Sequence, residues 1–197
     1  DEDVNICIIG HSIGGWVARA YLGGLSQSST AVHTMAREKV TSLITLGTPH
    51  NNPATAVFDQ TRGLLSAIAN APSCHPQVLA DDAGIEITCV CSESISGKLL
   101  SPNVEEIVAA TSYWPQSGRV TGPGDGIVPL DLAFLFFFAR RVIIVESDHH
   151  GAVRHSHVVP TPWNLLDGYA PSIQLPNDTF PSYTSKHVVA QWVSYIR

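Results

Sequence analysis

The sequence predicts an α/β fold with a mostly parallel sheet and flanking helices. Two observations carry that expectation. Short runs that are apolar throughout, rather than alternating, read as strands covered on both faces. Between these runs lie stretches with apolar residues at helical spacing, and strands alternating with helices argue for a parallel sheet.

Taken in order, Val4 to Ile9 is a β-branched strand that stops at Gly10. Gly14 to Leu25 follows as a helix, with Trp16, Val17, Ala20, Tyr21 and Leu25 at helical spacing and the Gly23-Gly24 pair at its end. Val40 to Leu46 is a second buried strand, stopped by Gly47-Thr48-Pro49. Asp59 to Ala71 reads as a helix capped by Asp59, with Leu64, Leu65 and Ile68 on one face. Ile85 to Cys91 and Arg141 to Glu146 are the third and fourth strands, and Val104 to Ala110 is a short helix. His187 to Ile196 closes the chain as a helix with a Val188, Val189, Trp192, Val193 and Ile196 stripe. Residues 156–185 form an irregular excursion rich in proline.

Composition narrows the function. The 197 residues are 44% apolar and only 14% charged, so a core is affordable and disorder is excluded. Lys plus Arg number 11 against 17 acidic residues, and no basic stripe exists for a nucleic acid. The longest apolar run, Ile127 to Ala139, is interrupted and too short for a transmembrane segment. Cys7, Cys74, Cys89 and Cys91 lack zinc spacing and read as small buried hydrophobes. No metal or cofactor is expected.

Gly10-His11-Ser12-Ile13-Gly14 matches G-x-S-x-G. Chance supplies such a match in about one chain in fifteen of this length, so context decides. It directly follows a strand and precedes a helix, which is the setting of a nucleophile elbow. In that turn the serine sits on strained backbone, and the flanking glycines leave room for it. Ser12 is then the nucleophile, and the backbone N–H of Ile13 points at the oxyanion. In this arrangement the acid and base follow the serine in that order. Asp125, between Gly124 and Gly126, is the acid. His149, His150, His155 and His157 remain open as the base. His11 is expected to face away from the reaction, and His50 either lines the pocket or caps its loop.

These segments resemble a known group. Gly10 to Arg19, Leu43 to His50, Asp59 to Leu65 and Gly124 to Pro129 are similar to GPI inositol-deacylase-like lipases and esterases of the α/β-hydrolase fold, notably their soluble plant and algal relatives. The resemblance implies an acyl-enzyme mechanism on lipid or other esters, with peripheral membrane contact. Localisation by resemblance is the endoplasmic reticulum or plastid. It selects His155, in His155-Ser156, as the base. The apolar Leu130 to Phe138 segment adds to the lipid reading, with a core helix as its alternative. An acyltransferase, a thioesterase and an inactive binding module are the rival functions.

The nucleophile strand of that fold normally has strands before it. The expectation is therefore that residues 1–197 are the C-terminal part of a single α/β-hydrolase domain, with N-terminal strands and the second oxyanion donor missing. The first strand then stands as an apolar edge prone to association.

Overall fold

The computed structural model describes residues 4–25, 37–57, 59, 61–135, 139–145, 151–156, 158–159, 173–174 and 180–197. Its centre is a four-stranded parallel sheet in sequential order: β1 (Ile6–His11), β2 (Val40–Leu46), β3 (Glu86–Ser92) and β4 (Ala139–Ile144). Parallel neighbours need crossovers, and helices supply them. Among the described residues the α-helices are α1 (Ile13–Leu22), α2 (Leu64–Asn70), α3 (Pro76–Ala83), α4 (Val104–Ser117) and α5 (Lys186–Trp192). Val158–Val159 and Ile173–Gln174 pair as a separate antiparallel ribbon.

Side chains alternate across the sheet with period two, so each strand feeds two cores. Leu43 of β2 and Ile87, Cys89 and Cys91 of β3 join Ala18 and Leu22 of α1 and Leu79 of α3. Ile44 and Leu46 of β2 and Val90 of β3 join Val188 and Trp192 of α5 on the opposite face. Each fully buried side chain of this kind contributes roughly 1.5–3 kcal/mol. A third cluster ties Trp16 of α1 to Leu65 and Ile68 of α2. Cys74, Cys89 and Cys91 are buried as free thiols, and Cys7 is half-buried.

Among the described residues β1 pairs only with β2, and Val4, Ile6 and Ile9 are exposed along this edge. No described helix is long and apolar enough to cross a membrane.

Several elements differ from the sequence expectation. α2 starts at Leu64, because Asp59 closes a turn instead of capping the helix. Its carboxylate accepts from the N–H groups of Thr61 and Gly63, each at 2.8 Å. Thr61 Oγ1 takes over the capping role by accepting from Leu65 N at 2.9 Å. α4 runs to Ser117, past Pro115, because burial of Tyr113 and Ser117 outweighs the proline. α3 has no counterpart in the sequence reading, although Pro76 at its first position and left-handed Gly84 after its end are its signals. Among the described residues of Leu130 to Phe138, 130–135 form no α-helix. A 3-10 turn at Leu130–Leu132 leads into Ala133, Phe134 and Leu135, which are buried in the first core. Residues 136–138 lie outside the described residues. The described apolar part of this segment thus covers the sheet.

Candidate active site

β1 ends at His11, and α1 begins at Ile13. Ser12 sits between them with φ 53° and ψ −126°, a conformation costly for a residue with a Cβ. Ser12 N donates to Leu46 O at 2.9 Å, and Thr48 Oγ1 donates to Ser12 O at 2.8 Å. The strained turn is thus clamped from β2 and its following loop. Close packing explains one motif glycine and corrects another. A Cβ on Gly10 would lie 2.7 Å from the backbone of Gly14 and Gly15. A Cβ on Gly15 would overlap the Thr48 side chain, whereas one on Gly14 would meet open space. The required second glycine is therefore Gly15.

Ile13 is the first residue of α1, and its side chain is exposed beside Ser12. Its N–H belongs to the unpaired first turn, where negative charge is favoured.

Asp125 and His155 meet in a buried corner. His155 Nδ1 lies 2.8 Å from Asp125 Oδ2, and His155 N donates to Asp125 O at 2.9 Å. A carboxylate only accepts, so Nδ1 carries the proton and Nε2 is left as acceptor. Asp125 Oδ1 accepts from Ile127 N at 3.0 Å and Val128 N at 2.8 Å. Burial alone would raise the Asp125 carboxyl. The His155 charge and the donors around it outweigh burial and hold the carboxyl below its ordinary range.

His11 joins this corner, contrary to the expectation that it faces away. Its Nε2 donates to His155 O at 2.8 Å, and the two rings lie 4.5 Å apart. His11 keeps solvent contact, yet desolvation of its packed ring, then the neighbouring His155, lowers its pKa. The end of β1 is thereby in direct contact with the His155–Asp125 pair. His149, His150 and His157 lie outside the described residues.

Gly47 is a site residue that motif reading passed over. Its φ is +55°, and a Cβ there would lie 2.5 Å from Asp125 Oδ2 and 2.8 Å from His155 Nδ1. The glycine in Leu46-Gly47-Thr48-Pro49 was visible in the sequence, but only the fold shows what it makes room for.

His50 neither lines the pocket nor caps its loop. It is buried between Arg19, whose Nη1 lies 3.3 Å from His50 Nδ1, and Thr45 Oγ1, 3.0 Å from Nε2. An arginine only donates, so Nδ1 accepts and Nε2 carries the proton. Burial, then the Arg19 charge, pushes the His50 pKa well down. Cys91 sits near the corner, but burial and then Asp125 push its thiol well up, so it stays protonated. A cavity of about 90 Å³ opens beside the pair, where Ile95, Val104, Val108 and Ile127 line it together with Asp125, His155 and the ion-paired Glu105 and Arg154.

Residues 1–98 match the PGAP1-like alpha/beta domain family. The PGAP1-like span covers β1 to β3, the Ser12 turn and Gly47, while Asp125 and His155 lie beyond it. With this match, the parallel sheet and its flanking helices are an α/β-hydrolase fold. The match supports a hydrolase of the lipase or esterase type. The chain is also similar to the crystal structure of Bacillus licheniformis lipase BlEst2 in mature form, at TM-score 0.42 and 16% identity. That alignment covers 77% of this chain and 59% of the lipase, so the chain spans less than two thirds of its length. No curated protein matches the chain.

Proposed function

We propose that this protein is a serine hydrolase that cleaves carboxylic esters, of lipids in particular. Ser12 Oγ attacks the acyl carbon, and its proton passes to His155 Nε2. The N–H of Ile13 stabilises the negative oxygen of the tetrahedral intermediate. His155 returns the proton to the alcohol as the C–O bond breaks. Water then attacks the acyl-enzyme by the same route, releasing the acid and restoring Ser12. Asp125 orients the imidazole and stabilises its positive charge. The reading assigns no step to a metal or cofactor.

The observation that carries this reading is the buried His155–Asp125 hydrogen bond, formed in contact with the end of the strand that presents Ser12. The apolar side chains of the cavity beside the pair, Ile95, Val104, Val108 and Ile127, support an acyl or alcohol group as the bound moiety. The PGAP1-like match supports an acyl ester of a lipid, of the GPI inositol-linked kind, as the substrate class. Exposed Ile13, next to Ser12, and exposed Val17 on the same helix support peripheral contact with a lipid surface.

Labelling with a fluorophosphonate serine probe tests the reading. The expected result is labelling of the wild-type protein that disappears in Ser12→Ala and falls strongly in His155→Ala. Labelling that persists in Ser12→Ala would reject Ser12 as the nucleophile.

A further inference from the structure

We propose that Tyr183 is a positioning residue for the Asp125–His155 pair, setting the basicity and orientation of the carboxylate that His155 uses. The inference rests on the triad reading above.

Tyr183 is 1% exposed, and its hydroxyl donates to Asp125 Oδ2 at 2.8 Å. The same hydroxyl accepts from Ser92 N at 3.0 Å, at the end of β3. Its one proton is therefore committed to the carboxylate. Oδ2 is also the oxygen that accepts from His155 Nδ1, while Oδ1 is occupied by Ile127 N and Val128 N. Four donors thus surround the carboxylate, which leaves it a single orientation. The Tyr183 ring stands edge-on to His155, at 84° and 6.3 Å between centroids.

Tyr183 is itself held from two sides. Trp192 Nε1 on α5 donates to Tyr183 O at 3.1 Å. Pro181 O accepts from Arg154 N at 2.8 Å, one residue before His155. The titratable groups that face the hydroxyl or its carboxylate are His155, His11, Cys91 and Tyr113.

Two donors on one oxygen share its charge. With Tyr183 present, Oδ2 pulls less strongly on the imidazole proton. Without it the carboxylate becomes more basic, and protonated imidazole is favoured. Catalysis needs neutral imidazole, so the acid limb of the pH–rate profile moves to higher pH.

The test is Tyr183→Phe, assayed with p-nitrophenyl butyrate across pH. The expected result is an acid limb of kcat/KM moved up by roughly 0.5–1 pH unit, with kcat about 3–10-fold lower and KM within about twofold. Trp192→Phe, which loses the bond to Tyr183 O and part of the second core but no contact to Asp125, is expected to lower the melting temperature and leave the limb in place. A second variant carries 3-fluorotyrosine at position 183, keeps the hydroxyl as a stronger donor, and is expected to move the limb down. It serves equally if Tyr183→Phe fails to fold. A limb unmoved in both position-183 variants would overturn the proposal, whatever their stability. If the wild type shows no Ser12-dependent turnover, the triad reading fails. The NMR titration of the imidazole signal that vanishes in His155→Ala then decides for Tyr183. An upward displacement in Tyr183→Phe supports the proposal, and an unmoved midpoint overturns it.

Discussion

The Ser12 turn and the Asp125–His155 corner solve opposite problems. The turn is local and strained: one residue at φ 53° is held by a few backbone contacts, and exposed Ile9, Ile13 and Val17 flank it. The corner is buried and unstrained. Asp125 is 1% exposed and is surrounded by donors from its own loop, from His155 and from Tyr183. A strained serine needs only packing that forbids relaxation, which its own glycines and the adjacent strand and loop, through Leu46 and Thr48, supply. A buried carboxylate needs its lost hydration replaced by fixed dipoles, and those converge from distant segments. The corner is thus the part that tertiary structure must assemble.

The largest expected effect breaks the corner while keeping its shape. Asp125→Asn removes the charge and invites the wrong imidazole tautomer, so esterase kcat should fall by about 10⁴-fold with the fold intact by circular dichroism. Gly47→Ala attacks the same corner from β2. Its Cβ would push on Asp125 Oδ2 and His155 Nδ1, and its φ of +55° disfavours alanine. Labelling by the serine probe should drop at least about 100-fold, with stability lower by roughly 1–3 kcal/mol in denaturant melts.

A third test removes a prop one step further out. Tyr113 Oη donates to Ile95 O and accepts from Gly126 N, each at 2.9 Å, beneath the Asp125 loop. Tyr113→Phe should cost about 1–3 kcal/mol in denaturant melts, because it leaves these buried groups unpaired.

The pH dependence of stability reaches the buried support of the other region. His50 is held neutral, with its folded pKa well below 6.5. The unfolded chain takes up a proton near that value that the native state refuses. Stability is therefore full above about pH 6.5 and declines as pH falls below it, by at most about 1.4 kcal/mol per unit from this group. His11, also lowered, adds in the same direction, whereas Asp125 contributes only below its ordinary value of 3.8. Melting temperatures across pH 7.5 to 4.5 should fall in the wild type and fall less steeply in His50→Asn. The smallest effect belongs to the exposed flank. Val17→Lys should change stability by less than about 0.5 kcal/mol and reduce self-association in sedimentation, since Val17 is exposed on α1, the helix that packs with the apolar edge strand β1.

Much of the sheet was legible because its signals are short-range. Val40 to Leu46 reads as a buried strand and is one, and β3 follows from the β-branched and apolar residues of Ile85 to Cys91. The boundaries that moved are those where a tertiary contact outweighs a local preference. α4 passes Pro115 because Tyr113 is buried, and Asp59 serves a turn rather than a helix end. The Leu130 to Phe138 run shows the limit of composition. Apolarity announced burial, but helix and packed loop look alike in so short a run.

The sequence by itself determined the strand–Ser12–helix turn and Asp125 in its glycine-flanked loop, since each depends on residues within a few positions of one another, and it determined the parallel character of the sheet through the alternation of strands and helices along the chain. Spacing alone left the base open among several histidines, because it does not say which ring reaches the carboxylate, and only the family resemblance pointed to His155. Only the tertiary structure brought His155 onto Asp125, folded His11 against it, made Gly47 the floor of that contact and placed Tyr183 on the shared oxygen. The physical reason is that a buried charge is stabilised by donors gathered from far along the chain, and no local pattern records where such donors converge.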